Sequence, residues 1–320
     1  MPQGLSGTLG DVGEFAVVAA LASRFPQASG VIVGPGDDAA VVAVDGGEAV
    51  ISLDMLVQGR HFRLDWSSAT DIGHKAAAEN LSDINAMGGR ATTLLVGVGA
   101  PPELDVAWAL ELADGLAAEA AKVGASVVGG DLTRADAITI AMTALGVCEH
   151  GVVRRSGAHA GDVVALAGRQ GWADAGFAVL ARGFRSPRVV VDAHRQPQPP
   201  YEAGPEAARL GATAMIDVSD GLLQDLGHVA AASGVAIDVD SARFDVPEPL
   251  QAVGAALGID PKKFLLTGGD DYGLVATFPA GAALPDSWRV IGAVLEDGEQ
   301  GTVTVDGAVY DEPAGHQHFR

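Results

Sequence analysis

The stretch Met215–Leu226, MIDVSDGLLQDL, decides the fold class because an apolar strand-like run passes into a helical pattern at an acidic turn. Three aspartates, Asp217, Asp220 and Asp225, fall within this stretch. One aspartate could cap the helix by accepting hydrogen bonds from its first amides, which leaves the others unexplained. We therefore interpret Asp217 and Asp220 as ligand-binding candidates and Asp225, inside the predicted helix, as a solvated surface charge.

Strand-like and helical patterns alternate along most of the chain. The sequence predicts strands at 48–54, 92–100, 125–131, 137–147 and 163–168, and helices at 69–88, 105–124 and 172–183. This pattern favours an α/β protein of the α+β type with two domains, 1–158 and 159–320, divided in the polar segment 154–162. The segment 193–211 contains four prolines and is predicted to be an extended surface connection.

The composition limits the classes of partner. Of the 320 residues, 41 are acidic and 20 are basic, which gives a formal charge of −21. Such a surface repels nucleic acid, so nucleic acid is not an expected partner. No apolar run is long enough to cross a membrane and no secretory leader is evident, so we expect no membrane association and a cytoplasmic location. The single cysteine excludes an internal disulfide.

Aspartates recur where apolar runs end beside glycine or small polar residues. Each could be an ordinary turn or cap residue. Several acids at strand ends of an α/β fold can, however, meet in one crevice, where they would repel one another unless cations were bound. This pattern predicts Mg²⁺, with Mn²⁺ possible, together with a nucleoside triphosphate such as ATP. The aspartates concerned are Asp37, Asp38, Asp54, Asp83, Asp131, Asp217, Asp220, Asp270 and Asp271.

The common phosphate-binding motifs are absent from the sequence. There is no P-loop, no dinucleotide-binding glycine pattern that opens a helix after a strand, and no protein-kinase signature. We therefore expect phosphate to be held by metal ions, by a glycine turn at Gly129 and Gly130, and by arginines such as Arg155 beside the turn at Ser156 and Gly157.

Seven motifs, in order and over nearly the whole chain, resemble the thiamine-monophosphate kinase family: GDDAAV, SLDMLVQGRHF, NLSDINAMGG, VVGGDLTR, RRSGAHAGD, IDVSDGLLQDLGH and GGDDYGL. The resemblance implies an N-terminal α/β domain whose sheet pairs with that of a second subunit in a homodimer, and a C-terminal α/β domain that covers ATP. It also implies transfer of the γ-phosphoryl group of ATP to thiamine monophosphate, giving thiamine diphosphate and ADP without a protein general base.

Matching these motifs position by position implies the site residues. The implied magnesium ligands are Asp38, Ser52, Asp54, Asp83, Asp131, Asp217 and Asp220. The implied ATP-binding residues are Gly130, Asp131, Arg155 and Ser219, and the implied catalytic residues are Arg155, Asp217 and Asp220. The implied contacts to thiamine monophosphate are His61, Asp270, His316 and Phe319.

This chain departs from the family pattern at three places. Leu53 stands where a threonine is usual, so position 53 can offer a metal only its backbone oxygen. The usual G-G-E-D-Y-E-L has become GGDDYGL, with the shorter acid Asp270 and with Gly273 in place of a glutamate. His316 occupies the place of a large aromatic residue near the C-terminus, so either His316 or Phe319 would stack on the thiamine.

Other interpretations stay open at this point. The chain could be another ATP-dependent synthetase of the same superfamily, similar to aminoimidazole ribonucleotide synthetase, or a non-catalytic nucleotide or metal sensor. His61 could be a partly buried structural histidine instead of a substrate contact. Asn80 could be a hydrogen-bonded helix amide, although it shares a helix face with Asp83.

Overall fold

A computed structural model describes residues 7–12, 17, 20–21, 23–33, 41–44 and 49–316. The chain forms two compact units: the first contains Met1–Ile84 and Arg90–Val147, and the second contains Asn85–Gly89 and Cys148–Arg320. Each unit has helices and a sheet of its own, which confirms the expected two-part α/β architecture. The domain boundary near residue 158 stays a prediction. In the structure, the first compact unit ends at Val147 and the second continues from Cys148.

In chain order, the described elements of the first unit are α1 Leu9–Val12, β1 Val31–Val33, β2 Val41–Val42, β3 Val50–Val57, α2 Ala69–Ala86, β4 Arg90–Ala100, α3 Val106–Ala121, β5 Ser126–Arg134 and β6 Thr139–Val147. Its main sheet has four strands in the order β3-β6-β4-β5, with β4 and β5 parallel and the other neighbours antiparallel. A separate two-stranded antiparallel sheet joins β1 to β2.

The two faces of this sheet differ. On one face the central strand β6 buries Ile140, Met142 and Ala144 completely, as its strict alternation of apolar and less buried positions requires. On the other face the edge strand β3 leaves Ile51 65% and Leu53 58% exposed. A large apolar surface on an edge strand is unusual in a free monomer.

The described elements of the second unit are β7 Val163–Ala167, α4 Trp172–Ala181, α5 Arg188–Arg195, α6 Ala203–Leu210, β8 Ala214–Val218, α7 Leu222–Ser233, β9 Ala236–Val239, a 3₁₀ turn Ser241–Arg243, α8 Glu248–Leu257, α9 Pro261–Thr267, β10 Gly273–Phe278, β11 Trp288–Leu295, β12 Val303–Val305 and β13 Ala308–Val309. The seven strands form one sheet in the order β13-β12-β9-β11-β7-β10-β8. Phe278 and Trp288 pack edge to face in the core of this unit, with ring centroids 5.2 Å apart.

The proline-containing segment is not the extended surface connection that the sequence predicted. It includes the end of α5 and all of α6, and Pro197 and Pro199 between them are buried. The side chain of Asn85 fixes this segment: its Nδ2 donates to the carbonyl of Pro200 (3.2 Å), and its Oδ1 accepts from the N–H of Gly204 (2.8 Å). Proline suits such a segment because it has no backbone N–H that burial would leave unsatisfied.

Over the ranges that the structure describes, no helix is both long and apolar enough to cross a lipid bilayer.

Candidate functional site

Three of the predicted metal ligands, Ser52, Asp54 and Asp83, come together in the first unit and are called the first acid group here. Alternation along β3 places Ser52 and Asp54 on the same face of the sheet, and α2 brings Asp83 to that face. The Ser52 hydroxyl donates a short hydrogen bond to Oδ2 of Asp83. The group therefore links a strand and a helix that are separate in the sequence.

Asn80 attaches α2 to β3 beside the first acid group. Its Oδ1 accepts a hydrogen bond from the backbone N–H of Asp54 (3.2 Å), and its Nδ2 donates to the carbonyl of Ala76 (3.1 Å). The side chain is fully buried. The interpretation of Asn80 as a hydrogen-bonded helix amide is thus confirmed, and the same amide also fixes the backbone of Asp54.

The electrostatics of the first acid group suit a bound cation. Burial, followed by the neighbouring charge of Asp83 and a hydrogen bond with it, raises the pKa of Asp54 to about 7. Oδ2 of Asp54 is buried and has no hydrogen-bond partner among the described residues. A nearby cation would stabilise the ionised form of this carboxyl and occupy its unsatisfied oxygen.

Mg²⁺ fits these ligands by their chemistry. Across the described ranges, no set of three His, Cys, Asp or Glu side chains could hold a metal ion by itself. The first acid group instead offers two carboxylates and a hydroxyl. Mg²⁺ is commonly held by one or two carboxylates, with substrate phosphates and waters completing its coordination.

Asp54 and Asp131 do not lie at strand ends, where the sequence placed them. Asp54 is inside β3 and Asp131 is inside β5, which continues to Arg134. Gly129 and Gly130 also belong to β5 and do not form the expected phosphate-binding turn. An acid is tolerated inside these strands because β3 and β5 are the edges of the sheet, where side chains are less buried. Asp131 is exposed.

His61 lies in the turn that follows β3. Its ring atom Nδ1 accepts a hydrogen bond from the backbone N–H of Val57 (2.8 Å). The backbone N–H of His61 donates to the carbonyl of Val57 (3.0 Å). An Nδ1 that accepts carries no proton, so in the neutral ring the proton is on Nε2. The histidine therefore has a structural role at this turn.

In the second unit, β8 and the turn that follows it carry Asp217, Ser219 and Asp220. Asp217 is a buried member of β8, whereas Ser219 and Asp220 are half-buried. The carbonyl of Ser219 accepts from the N–H of Asp270 (2.9 Å), so the GGDDYGL segment is attached to this turn.

Asp225 is not the solvated charge that the sequence suggested. It is 2% exposed, and its Oδ2 accepts hydrogen bonds from the N–H groups of Asp220 and Gly221, each at 3.1 Å. Burial raises the pKa of this carboxyl to about 7. Asp225 thus satisfies the amides of the acidic turn, a role that was not predicted because its carboxyl points back along the helix towards the N-terminus.

The two acids of the GGDDYGL segment have different environments. Asp270 has a left-handed backbone (φ 64°), and its Oδ2 lies 3.9 Å from Nδ1 of His194, a buried residue of α5. Asp271 is 3% exposed and accepts a hydrogen bond from the N–H of Ala173 (3.0 Å) in the first turn of α4. Asp271 is therefore a helix-capping acid.

Burial also raises the pKa of Asp271 to about 7, which leads to a test of stability. The folded protein holds this proton more tightly than the unfolded chain does, so Asp271 costs stability as the pH rises from about 4 to about 7. We expect Asp271→Asn, which cannot ionise, to gain on the order of 2 kcal/mol relative to wild type between about pH 5 and pH 8. Urea unfolding of both proteins at both pH values measures this difference.

The exposed Asp245→Asn is the matched control for removing one carboxylate. A difference between Asp271→Asn and wild type that does not change with pH would contradict the expected ionisation of Asp271.

The remaining predicted residues lie in exposed or undescribed places. Arg155 is exposed, and its carbonyl accepts from the Ser233 hydroxyl (3.0 Å). His316 is exposed, and its N–H donates to the carbonyl of Asp220 (2.9 Å), which brings the C-terminal segment to the acidic turn. Asp38 and Phe319 lie outside the described residues.

Comparisons with known proteins agree over both units. The family model for the N-terminal domain of AIR synthase related protein matches residues 36–148, and the model for its C-terminal domain matches residues 159–304. A thiamine-monophosphate kinase of Mycobacterium tuberculosis (strain ATCC 25618 / H37Rv) is 47% identical over 316 residues, which cover 98% of this chain and 94% of that protein.

Two solved structures are similar over most of the chain. Thiamine-monophosphate kinase from Stenotrophomonas maltophilia K279a has a TM-score of 0.81 at 31% identity, covering 93% of this chain and 98% of that one. AaThiL complexed with AMPPCP and TMP has a TM-score of 0.80 at 28% identity, covering 97% of this chain and 98% of that one.

Proposed function

The chain belongs to the thiamine-monophosphate kinase family, and from this premise we propose that it transfers the γ-phosphoryl group of ATP to thiamine monophosphate, giving thiamine diphosphate and ADP. It is an ATP-dependent phosphotransferase. The observation that carries the proposal is the first acid group, in which Ser52, Asp54 and Asp83 are gathered from β3 and α2.

The transfer requires little proton chemistry from the protein. The acceptor phosphate has a second pKa of about 6 and is largely a dianion at neutral pH, so it is already nucleophilic. One of its oxygens bonds to the γ-phosphorus in line with the bond to the ADP oxygen, which breaks. The barrier lies in bringing two polyanions together in this geometry.

Side-chain oxygens in each unit, six carboxylates and one hydroxyl, are proposed to bind Mg²⁺, for which Mn²⁺ could substitute. In the first unit these are Ser52, Asp54, Asp83 and Asp131, with Asp38, and in the second unit Asp217 and Asp220. Bound Mg²⁺ would supply charge neutralisation for the phosphates. The protein's own part is to hold these oxygens in place, as Asn80 does for the backbone of Asp54 and Asp225 for the turn at Asp220.

Other side chains are proposed to contact the two substrates. Arg155 neutralises charge on the transferred phosphoryl group, which a guanidinium can do by two parallel hydrogen bonds. Ser219 and Gly130 contact the nucleotide. His61, Asp270 and the C-terminal residues His316 and Phe319 contact the thiamine phosphate.

A direct assay tests this function. The purified protein is incubated with ATP, Mg²⁺ and thiamine monophosphate, and thiamine diphosphate is followed by chromatography, with exhaustive chelation as the control. Hydrolysis of ATP without thiamine diphosphate would favour another ATP-dependent synthetase. Nucleotide binding without any turnover would favour the sensor. Full activity after chelation would contradict the metal requirement.

A homodimer is part of the proposal, because the exposed face of β3 needs a covering surface. Ile51, Leu53 and Met55 alternate along this edge strand and are all exposed in the single chain. Their burial against a second copy would remove apolar area from water, at roughly 25 cal/mol per Å². The family resemblance supplies the same pairing.

We expect Ile51→Lys to weaken the dimer, because a charged ammonium would have to be buried in the apolar contact. Light scattering should then give the 32.3 kDa mass of the single chain, where wild type gives about twice that mass. Val309→Lys, at an exposed apolar position of β13 in the second unit, is the control. A variant at position 51 that stays as dimeric as wild type would rule out this surface.

A further inference from the structure

The C-terminal segment Tyr310–His316 is called the tail here, and its last residues, 314–316, lie against the turn between β8 and α7. The N–H of His316 donates to the carbonyl of Asp220. A Cβ added at Gly315 would lie 2.6 Å from that carbonyl oxygen and 2.8 Å from Cβ of Gln224, so only glycine allows this approach. The tail is therefore closely fitted to the acidic turn.

Gln224, on the first turn of α7, contacts both the turn and the tail. Its Nε2 donates one hydrogen bond to Oδ2 of Asp220 (3.0 Å) and another to the carbonyl of His316 (2.7 Å). An amide nitrogen has two protons, so the two bonds can form together. Asp220 lies just before the N-terminus of α7, and the Gln224 side chain points back towards that end of the helix and meets it.

No other common side chain of this size would make the same pair of bonds. Glutamate would place a negative charge against the Asp220 carboxylate and a carbonyl oxygen, both of which only accept. Methionine would fill a similar volume but donate no hydrogen bond. The contact thus depends on the amide itself.

We propose that Gln224 is a positioning residue that joins the Asp220 carboxylate and the tail into one hydrogen-bonded unit. The inference rests on the proposed function, in which Asp220 binds metal and the tail contacts thiamine monophosphate. A tail that is ordered before the acceptor arrives loses less conformational freedom on binding, which strengthens acceptor binding. Gln224 also fixes the direction of the Asp220 carboxylate.

The test is Gln224→Met in the full-length protein, read by two measurements. Hydrogen–deuterium exchange of peptides covering the tail should become faster by about three- to tenfold, since the lost bonds held the tail in place. The KM for thiamine monophosphate should rise by a similar factor of about three to ten, while the KM for ATP changes less than about twofold.

Two further variants make the result specific. Gly315→Ala should also release the tail, by crowding Asp220 and Gln224 without altering the amide. Gln251→Met is the matched control, because Gln251, on α8, donates a similar hydrogen bond to the carbonyl of Val246 (2.8 Å), which precedes that helix. That control should leave tail exchange and both KM values unchanged.

The outcomes separate the inference from the function on which it rests. Wild-type protein that forms no thiamine diphosphate would overturn the proposed function, and tail exchange would still show whether Gln224 holds the tail. In an active enzyme, Gln224→Met with unchanged tail exchange overturns the inference. Faster tail exchange with an unchanged KM for thiamine monophosphate overturns it as well.

Discussion

Asp83→Asn is expected to lower the turnover of thiamine monophosphate by about a hundredfold or more. Asp83 accepts a hydrogen bond from the Ser52 hydroxyl, and its charge helps to raise the pKa of Asp54. The change to asparagine therefore removes one of the two carboxylates of the first acid group. Charge stabilisation of this kind contributes several kcal/mol, and each factor of ten in rate corresponds to about 1.4 kcal/mol. Chromatography of thiamine diphosphate over a range of Mg²⁺ concentrations measures the loss.

The fold should survive Asp83→Asn, because asparagine keeps an oxygen that can accept from Ser52. Urea unfolding close to that of wild type would show this. Asp220→Asn should give a comparable loss of turnover in the second unit. Asp114→Asn, which removes an exposed carboxylate of α3, is the control and should turn over normally. Near-normal turnover of Asp83→Asn would leave this residue a structural role only.

Gly130→Ala is expected to destabilise the first unit by about 3 kcal/mol or more. An added Cβ would lie 1.9 Å from the carbonyl oxygen of Val96 and 2.9 Å from its carbon. These are backbone atoms of β4, the parallel neighbour of β5. The clash can be relieved only by separating the two strands. Thermal unfolding and the yield of folded protein measure the effect.

Gly227→Ala is the matched control for this change. Gly227 is a helical residue of α7 whose added Cβ would meet no atom within 4 Å, so alanine should be neutral or gain up to about 1 kcal/mol through helix propensity. If Gly130→Ala folds like wild type but has a raised KM for ATP, the glycine is required by the nucleotide alone. Loss of the fold would show that strand packing is sufficient to explain the need for glycine at position 130.

Most secondary structure could be predicted because the side of a helix or strand that is buried needs apolar residues. Their spacing can be read directly from the sequence. The helix predicted at 105–124 is α3 at Val106–Ala121, and the strand predicted at 92–100 is β4 at Arg90–Ala100. The errors occurred where a single polar residue was taken as the end of an apolar element. Asp54 and Asp131 continue their strands, because a side chain at the edge of a sheet can be charged without ending the backbone pairing.

The site was predictable in part. Asp54 and Asp83 were selected by their acidic chemistry and Ser52 by the family resemblance, and the three side chains lie together. Asp225 was misjudged, because its role comes from a contact made through the fold: its carboxylate accepts hydrogen bonds from the backbone N–H groups of Asp220 and Gly221. A single residue in a helical pattern does not indicate whether its side chain faces water or turns back into the protein.

The two-sided use of β3 limits how this segment can change in evolution. One face holds Ser52 and Asp54, and the other presents Ile51, Leu53 and Met55. Deleting one residue from the strand would exchange the faces of every residue beyond it, because successive side chains point to opposite sides. Substitutions of one apolar residue for another on the exposed face can therefore accumulate while the acids stay in place, whereas any change in the length of β3 would move the acids and the apolar surface at once.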